Sequence, residues 1–275
     1  MADGTITMKL WRRYASLQFK IQTEAADLMR DYINQNGFAD RDAAIAYAYG
    51  LATKYGEAAA AAACEMYDRS AELAGVTVPA AEPAETATLA ETAESINGIL
   101  KRSENTEMLS SAVGRLAKLA GADTTLKNAR RDGAEWAWVP VGDTCAFCIM
   151  LASNGWQHQS TKALKGGHAQ HIHANCDCQY AVRFGGKGGP AGYDEKTYER
   201  LYYGADLDHW NTPDGKPPAG HDRVKRPEWQ ERLDAMRREA YAENKAEINA
   251  QTRSAYAKRR ELESSRAEEI NVNGR

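Results

Sequence analysis

The chain has 275 residues, enough for one large domain or two small ones with linkers. Of its residues 43% are apolar, much of this alanine with only four phenylalanines, and 27% are charged, which suits a modest core beneath long solvated surfaces. A net charge of -3 gives no global argument for nucleic-acid binding, no run approaches the ~18 apolar residues of a membrane span, and the N-terminal sequence lacks the apolar stretch of a secretory signal, so a reducing cytoplasm is the expected setting.

Residues 5–35 carry Trp11, Tyr14, Leu17, Ile21, Leu28 and Tyr32 at helical spacing, which predicts an amphipathic helix stopped near Gly37. Asp40 is placed to cap a second helix running to about Gly75, whose tyrosine and alanine face suits helix packing rather than ligand binding. Cys64 falls on that helix and reads as a small buried thiol. The stretch 76–91, rich in Pro, Ala, Thr and acid, reads as a linker or exposed turn. Helical pattern resumes over 93–122, with interruptions expected at Gly98 and Gly121, and a short separate helix is expected to end at Gly133.

Trp136, Trp138, Val139 and Val141 then predict a strand, and residues 178–184 a second one. The Gly-rich run 185–192 reads as a flexible boundary. Beyond it come a short helix within 193–210, a Pro-rich loop over 211–227, and a long charged helix over 228–270. That last helix has a thin apolar stripe (Trp229, Leu233, Met236, Ala240, Ile248) suited to solvent or a partner.

The densest chemistry lies between the two strands. Residues 143–184 hold four of the five cysteines and four of the six histidines. Cys145 and Cys148 form a C-x-x-C, and His173, Cys176 and Cys178 follow in HANCDC. In a reducing compartment such spacing is more often a metal site than a disulfide framework. Two short-spaced groups of soft ligands are the pattern of a tetrahedral structural zinc site, because each group supplies ligands from one turn and the ion closes the loop between them. Five residues compete for four places. Cys145, Cys148, His173 and Cys176 are the preferred set, with Cys178 either a substitute ligand or a buried thiol. Disulfides and unligated thiols are the competing readings.

His158, His168 and His171 sit among glycines and polar residues, where solvated histidines are the default. A filled tetrahedral shell leaves no position for a reacting water. No H-E-x-x-H, no H-x-E of a zinc deaminase and no G-x-S-x-G is present. Ser153 and Ser160, near His158 in sequence, read as loop residues.

The run RRDGAEWAWVPVGDTCAFCIMLASNG followed by HIHANCDCQYAV resembles the signature of tailed-phage minor head proteins, the Mu F-like head morphogenesis family, in the form found in phages of actinobacteria. Asp143, Thr144, Cys145, Cys148, Leu151, Gly155, His173, Cys176 and Cys178 match its pattern over about residues 123–185. The resemblance implies a minor capsid component of the virion, assembled in the bacterial host cytoplasm and acting near the portal in head assembly or DNA delivery. It implies portal or major capsid protein as partners, with phage DNA and further copies of the chain as other contacts and no membrane. An enzyme of the phage head, a capsid maturation protease or a zinc-stapled nuclease, is the alternative from another class.

The expected architecture is therefore mainly α with a small α+β zinc-stapled subdomain and long helical arms at both ends. Its parts are an N-terminal helical arm (1–75), a linker and helices (76–122), the Cys/His metal-binding core (123–185) and a flexible linker with the charged C-terminal helix (186–275). The expected function is structural, with no catalytic residues and one zinc ion as the sole cofactor.

Overall fold

Four helices account for the first half of the chain, and the caps written into the sequence set where each begins. The computed structural model describes residues 4–141, 146–158, 164–165, 168–169 and 178–203. Helix α1 spans Met8–Asn36, with the Thr7 side chain accepting the Leu10 amide at 3.3 Å. Helix α2 spans Arg41–Ala74, capped by Asp40, which accepts the Ala43 amide at 2.9 Å, and closed by a left-handed Gly75. Helix α3 spans Leu89–Leu100 and opens on a capping box between Thr88 and Glu91. Helix α4 spans Thr106–Asp132, capped by Asn105 and ended by Gly133.

The expected breaks at Gly98 and Gly121 do not occur, since Gly98 lies within α3 and Gly121 within α4, and the predicted separate helix is the last part of α4. Gly121 serves close approach instead. A Cβ there would lie 3.0 Å from both the Ala59 carbonyl oxygen and Gln18 Oε1. One at Gly114 would lie 2.8 Å from the Gln22 carbonyl oxygen. Glycine in a helix costs about 1 kcal/mol against alanine, and here it lets α1 and α2 press onto α4. The same closeness reshapes α1. Leu17 is 46% exposed and Leu28 37%, whereas Gln18 and Gln22 are buried beside Trp11, Tyr14, Ile21 and Met29. Gln18 Nε2 donates to the Ala59 carbonyl at 2.9 Å and to Tyr14 Oη at 3.3 Å, which offsets its burial. Burial pushes the Tyr14 phenol up to about 12.

The expected linker at 76–91 is instead a fixed strap leading into α3. Without regular secondary structure of its own, it takes its hydrogen bonds from side chains of α2 and α4. Asp68 accepts the Ala81 amide at 2.8 Å, and Thr124 Oγ1 accepts that of Ala84 at 2.9 Å. Asn128 accepts the Glu82 amide at 3.0 Å and donates to the Glu82 carbonyl at 2.8 Å. The Arg131 guanidinium donates to the Pro79 and Ala80 carbonyls. Ala87 is buried beside Ala52 and Leu116.

Both expected strands are present. Strand β1 is Glu135–Val139, β2 is Gln157–His158 and β5 is Gln179–Arg183, forming an antiparallel sheet in the order β2-β1-β5. Between them lie helix α5 (Ala146–Ala152) and a two-stranded pair, β3 (Leu164–Lys165) with β4 (His168–Ala169). The period of two splits the sheet cleanly. Trp138 and Tyr180 pack toward Leu119, Ala122 and Leu126 of α4, while Ala137, Val139 and Ala181 pack toward Ile6, Trp11, Tyr14 and Ala62. Glu135 and Arg183 face each other across β1 and β5 with bonds of 2.8 and 2.9 Å, and the guanidinium lies 4.7 Å from the Trp156 ring centre.

The Gly-rich run 185–192 is not the free tether the sequence suggests. Ile6 donates to the Gly189 carbonyl at 2.9 Å and accepts the Ala191 amide at 2.7 Å, and Gly188, Gly189 and Pro190 are buried. Gly188 lets the segment lie against the Ser70 carbonyl of α2, where a Cβ would collide, and Gly192 lies close to Met8. Helix α6 (Glu195–Tyr203) follows, within the helix expected over 193–210. The expected loop at 211–227 and charged helix at 228–270 lie outside the described residues. Those that are described are mainly helical with one small three-stranded sheet, and the metal-stapled part of the expected fold rests on ligands most of which lie outside them.

Three substitutions should change stability. Gly114→Ala should lower it by about 1–3 kcal/mol, because the new methyl meets backbone. Gly50→Ala, in α2 with nothing within 4 Å of the added Cβ, should raise it by about 0.5–1 kcal/mol. Urea unfolding midpoints of the two variants should therefore move in opposite directions. Asn128→Ala should cost about 1–3 kcal/mol by leaving the strap's backbone groups unpaired, and limited proteolysis should then cut within 76–88, where the parent chain resists.

Candidate functional site

The site is built on the face of α4 that meets the sheet. Leu116, Leu119, Asp123 and Leu126 recur at helical spacing, so a carboxylate stands in an otherwise apolar stripe. Asp123 is completely buried and Lys118, on the same helix, is 1% exposed. The Lys118 ammonium lies 5.7 Å from the centre of the Trp138 ring, within cation–π range. Tyr180 stands edge-on to Trp138 at 4.7 Å and to Trp136 at 5.3 Å. Burial pushes the Tyr180 phenol up, and the nearby charges of Asp123 and Cys148 push it further.

Two of the five predicted site residues meet here. Cys148 comes from α5 and Cys178 from the residue before β5, and both are buried, 0% and 1% exposed. They share one cluster with Leu119, Ala122, Leu126, Trp138, Ala169 and Tyr180. Cys145, His173 and Cys176 lie outside the described residues, as do His171 and Ser160. Among the described residues no group of three or more His, Cys, Asp or Glu is arranged to hold a metal ion.

The remaining candidates have ordinary surroundings. His158 is exposed on the short strand β2. Ser153 is buried, and its hydroxyl donates to the Met150 carbonyl at 2.8 Å within the end of α5. Cys64 is half-buried on α2, where burial raises its thiol pKa and Asp68 raises it further.

Sequence reasoning on the cysteines and histidines missed Asp123 and Lys118. Their signal was available: within 116–126 of α4 they are the charged residues in a run otherwise made of alanine, glycine, threonine and leucine. Asp123 Oδ1 accepts the backbone amide of Ala169 in β4, which ties the sequence just before His171 and His173 to α4.

The two thiols should differ sharply in sensitivity. Cys148→Ser places a hydroxyl in a closed apolar cluster and should cost about 1–3 kcal/mol. Cys64→Ser should stay within about 0.5 kcal/mol. Thermal unfolding of the two variants beside the parent chain checks this.

The described helices include none long and apolar enough to cross a membrane. No curated protein and no solved structure matches the chain. The profile of the family described as VG15 protein matches residues 5–205, which takes in all four long helices, the sheet and the whole Cys/His region. The chain belongs to this VG15 protein family, and it is a phage-related protein whose family membership points to a virion-associated role.

Proposed function

We propose that the chain is a minor head protein of the Mu F-like type, a structural part of the virion that acts near the portal in head assembly or DNA delivery. The family match supports the phage setting. The finer reading rests on the C-x-x-C and H-x-x-C-x-C motifs, together with the burial of Cys148 and Cys178 in one cluster against α4. That shared burial is the observation that carries the proposal.

Two thiols from distant parts of the sequence, closed in by Trp138, Tyr180 and α4, fit a scaffold site better than a reactive one. Substrate has no room beside a cysteine with no exposed surface, and a reactive thiolate sits in a partly exposed, electropositive setting. The donor chemistry suits zinc. Cys148 would serve with Cys145, His173 and Cys176, and Cys178 would stand as the substitute ligand or as a buried thiol. Bound there, zinc would supply closure of the loop between the two motifs, a structural contribution rather than a Lewis-acid one. The chain's own residues do the rest: α4 forms the floor, the sheet holds Cys178 in place, and α5 carries Cys148.

In the virion the partners would be portal or major capsid protein, and phage DNA and further copies of the chain are additional contacts. The role is structural rather than catalytic on this reading.

Purified under reducing conditions without added metal, the full chain should carry about one zinc per chain. In particles it should be present at low copy number, and deletion of its gene should impair head assembly or DNA delivery. Disulfides without metal would remove the zinc site from the proposal. An enzyme predicts otherwise: His171→Ala or Ser153→Ala would abolish capsid processing or nuclease activity while the variant still folded and entered particles. That result would replace the structural reading.

A further inference from the structure

We propose that the exposed stripe of α1 from Arg13 to Asp31 pairs antiparallel with the same stripe of a second copy of this chain. The contact lies on α1 and its border with α2, so it does not depend on the zinc site and is tested separately from it.

The charges of α1 are segregated. Before residue 21 the helix carries Lys9, Arg12, Arg13 and Lys20 and no acid. After it come Glu24, Asp27 and Asp31, with Arg30 as the lone base, itself held by Asp27 and Glu107. This order opposes the helix dipole, which favours acids in the first turn and bases in the last; α1 has neither. Its exposed apolar residues add a second asymmetry. Leu17 and Leu28 stand about three turns apart and so share a face. Arg13 and Lys20 flank Leu17, and Glu24 and Asp31 flank Leu28, at spacings of three or four positions, and all are exposed on that face. The stripe reads base, Leu, base, acid, Leu, acid.

Turned end for end, that order is its own complement. In one antiparallel register Leu17 meets Leu28 of the second copy, Arg13 meets its Asp31, and Lys20 meets its Glu24, each pair occurring twice about the two-fold axis. Lys20 and Glu24, which lie 3.7 Å apart within one chain, become a cluster of four alternating charges at that axis. The two helix dipoles also oppose each other there. Parallel pairing would instead set like charges face to face, and a partner helix of one charge sign would leave half of the stripe unmatched. A hollow of about 450 Å³ between α1 and α2 lies at the basic end, lined by Leu10, Leu17 and Met66 together with Arg13, Glu65 and Arg69. Leu28 of the second copy enters it beside Leu17, and its Asp31, one turn on, reaches Arg13. The paired stripes run over roughly 27 Å of helix with four leucines, less than an obligate interface buries, so a dimer of micromolar affinity is expected.

Sedimentation equilibrium of the full chain over about 1–100 µM tests this. Arg13→Glu with Lys20→Glu makes the stripe wholly acidic, and Glu24→Lys with Asp31→Lys makes it wholly basic. All four positions are exposed, so both double variants should keep the circular dichroism of the parent. The parent should dimerise within the range, each double variant should self-associate about tenfold more weakly or less, and their equimolar mixture should recover the parent's affinity to within about threefold or exceed it. Should a double variant misfold, Leu17→Gln alone, at a solvent-facing site, should also weaken the dimer about tenfold. A parent monomeric throughout would overturn the proposal and leave the stripe to a helix of another protein. Variants that dimerise as the parent does, or a mixture that fails to recover, would overturn it as well.

Discussion

The closeness of α4 to α1 and α2 is the constraint on which the rest of the structure depends. Glycine at positions 114 and 121 brings the backbone of α4 so close to the Gln22 and Ala59 carbonyls that an added Cβ would meet them at 2.8 and 3.0 Å. Alanine on α2 and glutamine on α1 fill what narrow space is left, and the Gln18 amide bonds the Ala59 carbonyl of α2 while lying against Gly121 of α4. A chain with only four phenylalanines builds its core this way because small residues recover through close dispersion contact what they lack in apolar area. Larger aliphatic groups are displaced outward, which is why Leu17 and Leu28 face solvent.

Once α4 is central and buried along most of its length, its polar side chains have no water to meet and must find backbone. They do so in two directions. Thr124 and Asn128 hold the strap that leads into α3, while Asp123 holds β4. The helix thus acts as a template for two segments with little regular structure of their own. The sheet closes the arrangement, with one face on α4 and the other on the N-terminal residues and α2.

Much of the secondary structure was legible in the sequence, because caps and turn residues act locally. Asp40, Gly75 and Gly133 mark helix ends by interactions within a few residues, whereas the Thr88–Glu91 capping box fell inside the stretch read as a linker. The two main strands were legible from their aromatic and β-branched residues. What misled was any residue whose role is set by a distant neighbour. Gly121 reads as a helix breaker until Ala59 is seen opposite it, and the Pro-rich strap reads as a linker until Asn128 and Thr124 are seen bonding it. The same holds for the run at 185–192, whose partners are residues 4–6. At the site, the Cys and His spacing pointed to the region, but that Cys148 and Cys178 share one buried cluster, and that Asp123 and Lys118 are buried charges on a packed helix, became visible only in the fold.

The central proposal is that a structural metal ion closes the two Cys/His motifs, as a scaffold rather than a reaction centre. X-ray absorption at the zinc edge on the purified full chain tests it most directly. A four-coordinate ion with sulfur scatterers at about 2.3 Å and nitrogen at about 2.0–2.1 Å is the predicted result. The absence of a zinc edge in reduced protein, or an ion with oxygen ligands and an open position, would contradict it.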